Sequence, residues 1–330
     1  MKTQTHHTND LSKYAFLVTG GAGFIGSNLV AYLLKHQAKK VRVLDDFSNG
    51  HRANIEEFLS LPNFELITGD IRDLETCKKA MVDIDYVSHQ AALGSVPRSI
   101  NDPITTNVVN ITGFLNMMVA LKESTTVKRM VYAASSSTYG DSAALPKVEE
   151  TIGKPLSPYA VTKYVNELYA DVFGKTYNTD AIGLRYFNIY GPKQSPNGAY
   201  AAVIPLFMNA IKNNEPATIH GNGEQTRDFT YVDNAVQANV KGFFASAAAK
   251  NQVFNIACHE RISVNTLWNT LNAAAKKNIK ASHGPNRPGD VKDSLADITK
   301  AQTLLGYKPL VLVEEGLEKT WQYFKAHTHE

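Results

Sequence analysis

A short apolar run that stops at a cluster of glycines restricts this chain more than any other feature. Tyr14 to Thr19 reads Tyr-Ala-Phe-Leu-Val-Thr, the unbroken apolar stretch of a buried parallel strand. Gly20-Gly21-Ala22-Gly23-Phe24-Ile25-Gly26 follows, and from Ser27 to Lys35 apolar residues recur at helical spacing through Leu29, Val30, Leu33 and Leu34. Strand, glycine turn and helix in this order make a phosphate cradle. The glycines let backbone approach a pyrophosphate, and the helix start offers free N–H groups and the positive end of its dipole. Both Gly20-x-x-Gly23-x-x-Gly26 and Gly21-x-Gly23-x-x-Gly26 fit, so the turn alone selects no dehydrogenase subtype. A second run, Val41 to Leu44, ends at Asp45, nineteen residues after Gly26. A nucleotide-binding βαβ unit places there the acid that holds the adenosine ribose hydroxyls. Asp45 and its neighbour Asp46 would repel a 2′-phosphate, so the expected cofactor is NAD and not NADP.

Further strand-like runs at Phe64–Ile67, Tyr86–His89, Lys128–Ala134 and Asp180–Tyr186 alternate with helical spacing around Leu74–Met81 and Ile104–Lys122. That alternation predicts an α/β fold, a Rossmann-like doubly wound parallel sheet, followed by a smaller, mostly C-terminal α/β lobe. The expected division is a flexible tail over 1–12, a nucleotide-binding domain over 13–187 and a second domain over 188–330 that crosses back to the first. Ligands of such sheets sit beyond the carboxyl ends of the strands. Asp70 and Ile71 are thereby placed to meet adenine, and Gln90, Ala91 and Ala92 to line the cofactor's middle. His89 reads as a packed strand residue.

Composition narrows the function. At 330 residues with 43% hydrophobic residues and a net charge of +3, the chain has a sizeable core and no electrostatic footprint for nucleic acid. Cys77 and Cys258 lie far apart without a CxxC partner, which suits a reducing cytoplasm and builds no sulfur metal site. The start lacks an apolar signal core, His6-His7 reads as part of a solvated end, and no run approaches the ~18 apolar residues of a membrane span.

Chemistry is signalled by Ser157-Pro158-Tyr159-Ala160-Val161-Thr162-Lys163, which opens a helix with Tyr159 and Lys163 four residues apart on one face. A phenol near its reference pKa of about 10 is a poor base at neutral pH, and an ammonium beside it favours the phenolate. Upstream, Ser135-Ser136-Ser137-Thr138-Tyr139-Gly140 closes a strand and offers hydroxyls to the same substrate oxygen. Three serines also suit a turn. A serine hydrolase is disfavoured, since the chain shows no G-x-S-x-G elbow here.

With the glycine turn, Asp45, the serine cluster and Tyr159-x-x-x-Lys163 in this order, nearly the whole chain resembles the extended short-chain dehydrogenase/reductase family. Ala91–Ser99, Ser135–Gly140, Arg185-Tyr186-Phe187-Asn188 and Gly198–Pro205 look specifically like bacterial UDP-N-acetylglucosamine 4-epimerases. The resemblance implies that Tyr159 as phenolate takes the proton from the sugar O4′ while the C4 hydride passes to NAD, that Lys163 holds the tyrosine's pKa down, and that Ser135 assists. A cofactor set of Gly20, Gly23, Phe24, Ile25, Gly26, Asp45, Asn49, Gly50, Asp70, Ile71, Gln90, Ala91, Ala92, Asn110, Tyr159, Lys163 and Tyr186 follows from it. The implied UDP-sugar set is Gly94, Ser95, Ser135, Ser136, Ser137, Asn188, Gln194, Ala202, Val203, Arg227, Arg287, Asp290 and Ser294, with Arg227 and Arg287 as the diphosphate cations. Dehydratase and decarboxylase branches carry an acid just after the first hydroxyl residue; Ser136 and Ser137 stand here, which argues for simple epimerisation.

Ser294 occupies the position where strict UDP-galactose 4-epimerases often carry tyrosine. Its small side chain leaves room for a 2-acetamido group. Lys292-Asp293 departs from the Arg-His of close relatives and puts an acid near the sugar end. The expectation is interconversion of UDP-GlcNAc and UDP-GalNAc, and of UDP-Glc and UDP-Gal as a further pair, by a homodimer joined through the helices after Ile104 and Tyr159. The alternatives are a UDP-glucuronate or UDP-N-acetylglucosaminuronate 4-epimerase and a catalytically silent NAD-binding regulator.

Overall fold

A computed structural model of the chain describes residues 5–195, 202–285 and 293–327. Seven strands form its central sheet: β1 (Ala15–Thr19), β2 (Lys40–Asp45), β3 (Phe64–Thr68), β4 (Tyr86–His89), β5 (Arg129–Ser135), β6 (Ala181–Tyr186) and β7 (Val253–Ile256). Their spatial order is β7-β6-β5-β4-β1-β2-β3, and every pairing is parallel. The order reverses at β1, so β1 and β4 flank the switch point where such sheets open a crevice. β1, β2, β4 and β6 are almost wholly buried, as expected for strands covered on both faces, whereas the edge strand β3 is half-exposed.

Helices cover both faces. On one lie α1 (Phe24–Lys35), α6 (Val232–Phe243) and α8 (Thr299–Leu305), joined by a core that includes Leu29, Val30, Val131, Phe243 and Leu305. On the other lie α2 (Leu74–Met81), α3 (Pro103–Glu123) and α4 (Pro158–Tyr177), over a core of Met81, Phe114, Met117, Met130 and Phe173. Remaining elements, α5 (Val203–Lys212), α7 (Val264–Ala274), α9 (Val313–His327) and short two-stranded ladders, enclose a third core around Phe207, Trp268, Leu271 and Trp321. β7 comes from the C-terminal half and pairs with β6 in the central sheet.

Two features differ from the sequence expectation. Helix α3, 21 residues long, has a mean hydropathy of 1.4 over an 18-residue window, long and apolar enough to cross a membrane, although no such run was anticipated. Its buried side, through Phe114, Met117, Met118 and Leu121, packs into the core between sheet and helices. Within residues 5–12, expected to be part of a polar tail, some side chains pack against the fold. Leu11 is buried, Leu11–Lys13 form a turn of 3₁₀ helix capped by Asp10, and the ring of His6 stacks on Tyr32 of α1 at 4.9 Å. The period of the sequence there is too short to announce this contact.

Candidate active site

Beyond the carboxyl ends of the strands lies a cleft of about 480 Å³. Its nucleotide end is backbone. Gly20 adopts φ +66°, and a Cβ there would sit 2.7 Å from the Ala91 nitrogen, so only glycine lets the turn close against the strand-four loop. Helix α1 begins at Gly23 with no side-chain cap. The N–H groups of its first turn therefore lack intrahelical partners beside the lining residues Phe24, Ile25 and Gly26. Asp45 ends β2 and is stapled into place: its carboxylate accepts from the Ala22 and Phe47 backbone N–H groups, both at 2.9 Å. Burial raises its pKa, and those two hydrogen bonds act against the rise. A carboxylate has lone pairs to spare for ribose hydroxyls after two such bonds. An uncapped helix start, glycines and an acid together fit a dinucleotide.

The other end is built from side chains. Ser157 caps α4 by accepting from the Ala160 N–H, and Pro158 occupies the first turn, where a missing N–H costs nothing. This start brings Tyr159 and Lys163 to the cleft beside Ser135, which ends β5. The Ser135 hydroxyl bonds the Ser137 hydroxyl at 2.9 Å and accepts from its N–H at 3.1 Å. The expected depression of the Tyr159 pKa is not what the structure shows. Burial pushes the phenol up, with hydrogen bonding from Ser135 working the other way. The Lys163 ammonium lies 6.0 Å from the phenol ring centre and donates to the Ala133 carbonyl at 2.8 Å. Four-residue spacing put the two side chains on one face, but the longer one reaches past the ring to the strand end.

Most residues anticipated from sequence meet here. Gly20, Gly23, Phe24, Ile25, Gly26, Asp45, Asn49, Gly50, Ile71, Gln90, Ala91, Ala92, Tyr159, Lys163 and Tyr186 all line the cleft, as do Gly94, Ser95, Ser135, Ser136, Ser137, Asn188, Gln194 and Ala202. Others do not. Asp70 stands outside the lining with its carboxylate tied to the Arg72 side chain at 2.5 and 2.7 Å. Asn110 is buried on a turn of π-helix, Val108–Thr112, and its amide bonds the Leu93 N–H, the Leu93 carbonyl and the Thr162 hydroxyl. Its amide braces the loop after β4 against α4, outside the described lining. Val203, Arg227 and Ser294 also fall outside the described lining. Arg227 donates to the Thr226 carbonyl at 2.9 Å, and the Ser294 N–H bonds the same carbonyl at 3.1 Å. Asp293, expected near the sugar, accepts from the Thr226 hydroxyl at 2.6 Å. Arg287 and Asp290 lie outside the described residues.

Sequence reasoning missed a polar network beneath the lining. Asn239 of α6 donates to the Tyr186 hydroxyl at 2.7 Å and accepts from Ser88 and Gln90, which are themselves bonded at 2.9 Å. Burial pushes the Tyr186 phenol up to about 12, so it stays protonated while it donates to the Gln90 side chain. No motif flags Asn239, because it lies about 150 residues from the strand it serves. Leu44, Leu93, Val109 and Ala133 add to the apolar wall, and only their places at strand ends, in the loop after β4 or in the π turn hint at it. His89 is the packed residue expected: buried, bonded to Thr19 at 2.7 Å and facing Phe114. Among the described residues no group of His, Cys, Asp and Glu side chains is arranged to hold a metal ion.

Comparison with known proteins places this geometry in a family. The family model described as GDP-mannose 4,6 dehydratase matches residues 17–320. The chain belongs to this family of extended short-chain dehydrogenases/reductases. A putative UDP-glucose 4-epimerase of Methanocaldococcus jannaschii is 34% identical over 94% of this chain and 98% of its own. Among solved structures, the UDP-N-acetylglucosamine 4-epimerase of Methanobrevibacter ruminantium, in complex with UDP-N-acetylmuramic acid, superimposes with a TM-score of 0.89 at 36% identity, covering 96% of this chain and 99% of that one. The UDP-glucuronic acid 4-epimerase of Bacillus cereus, with UDP-glucuronic acid and NAD, gives 0.87 at 33% identity over 94% and 99%. Relatives acting on neutral and on acidic UDP-sugars thus share the fold, and the choice of sugar rests on this chain's own residues.

Proposed function

We propose that this chain is a UDP-sugar 4-epimerase of the N-acetylated sugars, interconverting UDP-GlcNAc and UDP-GalNAc with NAD as its cofactor. The observation that carries the reading is the joining, in one cleft, of a backbone-built nucleotide end to the trio Ser135, Tyr159 and Lys163. Gly20 to Gly26, Asp45 and Lys163 would hold NAD, which when bound supplies the hydride acceptor and donor for the sugar C4. Tyr159 takes the proton from O4′ and returns it, because it is the phenol of this cleft placed against a hydroxyl relay. Ser135, by its hydrogen bond, favours the phenolate needed for that step, and the Lys163 ammonium stands 6.0 Å from the ring centre. Ser136 and Ser137 line the cleft where elimination would need an acid. A keto sugar freed of further proton transfers turns over and is reduced on its other face.

Charge favours neutral sugars over uronates. Among the described lining residues Lys163 is the only cation, and Asp45 and Asp46 are the only acids. A uronate carboxylate would meet no second cation among the described lining residues, and an unpaired buried charge is costly. Turnover of each UDP-sugar pair, followed by chromatography of the 4-epimers, tests the assignment; faster conversion of UDP-glucuronate than of UDP-GlcNAc would overturn it. NAD binding without turnover of any pair would leave the regulator.

A homodimer is part of the proposal. Helix α3 carries Ile104, Val108, Ile111 and Leu115, and α4 carries Val161, Val165, Leu168 and Val172, each a 4-3-4 apolar spacing. Ile104 is 76% exposed, and Val161, Leu168 and Val172 are exposed too, so the start of the first stripe and most of the second face outward. Two such helices meeting their copies would bury a four-helix seam. Leu168→Glu should yield a monomer by light scattering, and an unchanged mass would refute this interface.

A further inference from the structure

Behind Lys163 lies an ion pair that the epimerase chemistry does not use. Glu167 follows Lys163 by one turn of α4, and its two oxygens accept from Arg185 of β6 at 2.9 and 2.7 Å. Both side chains are buried, at 6% and 5% exposure. Arg185 also donates to the Glu149 carbonyl at 3.0 Å and lies 4.9 Å from the Tyr139 ring centre. We propose that Glu167 is a positioning residue that keeps the buried Lys163 an ammonium, and that Arg185 limits how strongly it does so. This inference rests on the reading of the cleft as an epimerase site.

The argument begins from the cost of a buried cation. Lys163 is 4% exposed, and it donates to the neutral Ala133 carbonyl. Burial pulls its pKa down to about 8, and the charge of Glu167 acts upward. The other titratable groups around it do not help. Tyr159 shares its helix, and its phenol is raised by burial. His89 of β4 is pushed down to about 3, chiefly by burial and then by Lys163 itself, so it is neutral. Tyr132 of β5 stays protonated, with its phenol raised well above the usual range by burial. Asp171 lies two turns beyond Lys163, at the rim with Lys175. Glu167 is therefore the carboxylate that holds the charge. A carboxylate that gave both oxygens to Arg185 acts on Lys163 as one end of a dipole, and the two partners of the bridge pull in opposite directions.

That opposition separates the proposal from a brace. A purely structural bridge, broken from either side, loses the same thing. Glu167→Gln keeps a hydrogen bond to Arg185 and removes the negative charge, so the alkaline limb of the kcat profile should move down by about one pH unit. Arg185→Gln leaves Glu167 unpaired and should move the limb up by about half a unit. NMR titration of labelled lysine, with Lys163 assigned by Lys163→Met, should show the same two displacements in protein without substrate. Shifts in one direction for both variants, or none, would overturn the proposal. Should either variant fail to fold, Glu167→Asp and Arg185→Lys keep the charges: the first draws the carboxylate back and should give a smaller downward shift, the second should restore the wild-type limb. No displacement in Glu167→Asp would count against the idea. If the wild-type protein turns over no UDP-sugar, the functional reading fails, whereas the NMR titration still judges the ion pair.

Discussion

The two ends of the cleft are made of different material. The nucleotide end comes largely from one continuous stretch, Gly20 to Gly50, completed by Ile71 and Gln90 to Ala92, and much of what faces the cleft is backbone held by glycine and by the stapled Asp45. The sugar end is gathered from Ser135, Tyr159, Asn188, Gln194 and Ala202, each delivered by a different element. A site of backbone fails when its shape changes and is indifferent to most functional groups. A site of side chains fails when one functional group is lost, even where the shape survives.

The largest effect tests the second half of that statement. Tyr159→Phe deletes one oxygen and should lower kcat by about 10³-fold, within the usual span for a general acid–base, while NAD content stays unchanged. Near-normal turnover would end its role as base. Gly26→Ala tests the first half: its new Cβ would overlap the Gly20 carbonyl, forcing the turn open. NAD affinity should fall by about 100-fold or the protein lose its fold, roughly the ~3 kcal/mol of an overpacked site. Normal NAD binding would show that the turn is more forgiving than its packing implies. Gln194→Leu is milder. The Gln194 Oε1 is buried without a partner among the described residues and lines the cleft. Its loss should raise the KM for the UDP-sugar by about three- to tenfold, the worth of one hydrogen bond, and leave NAD affinity alone. An equal effect on both ligands would place Gln194 between the two ends.

The same difference explains what the sequence made legible. Strand, glycine turn, helix and Asp45 are adjacent in the chain and carry their own spacing, so the α/β fold and the nucleotide end were read from local pattern. Tyr159 and Lys163 also stand four residues apart, yet their direction was not local: burial raises the phenol, and the ammonium turns to the Ala133 carbonyl. Asn110 was expected at the cofactor from its motif, which does not record which atoms a side chain meets; its amide bonds Leu93 and Thr162. Asn239 left no trace, since its partners Ser88, Gln90 and Tyr186 are scattered over the chain. Long-range hydrogen bonds have no sequence period to reveal them.

The smallest predicted effect concerns a region outside both ends. His6 and His7 meet the Tyr32 hydroxyl at 2.7 Å through a backbone N–H and a ring nitrogen, and His36 packs against the same ring. Burial, followed by His36, Lys241 and His7, pushes the His6 imidazole down from 6.5 to about 4. Burial first and a neighbouring base second also lower His7, through His36, and His36, through Lys35. A base whose folded value lies below its free value binds fewer protons when docked. Docking of residues 5–13 is therefore complete above pH 6.5 and weakens as the pH falls toward 4. Deleting residues 1–9 should lower Tm by about 2–4 °C at pH 7.5, and the deletion should cost less at pH 5. Turnover at pH 7.5 should change little, because the arm touches neither the glycine turn nor the Tyr159 end. A deletion cost that grows as the pH falls would reverse the sign and show that the imidazoles are held as cations. A loss of turnover that matched the loss of Tm would show that the arm supports the nucleotide end through α1, and the division of the molecule into one backbone-built end and one side-chain-built end would then have to include it.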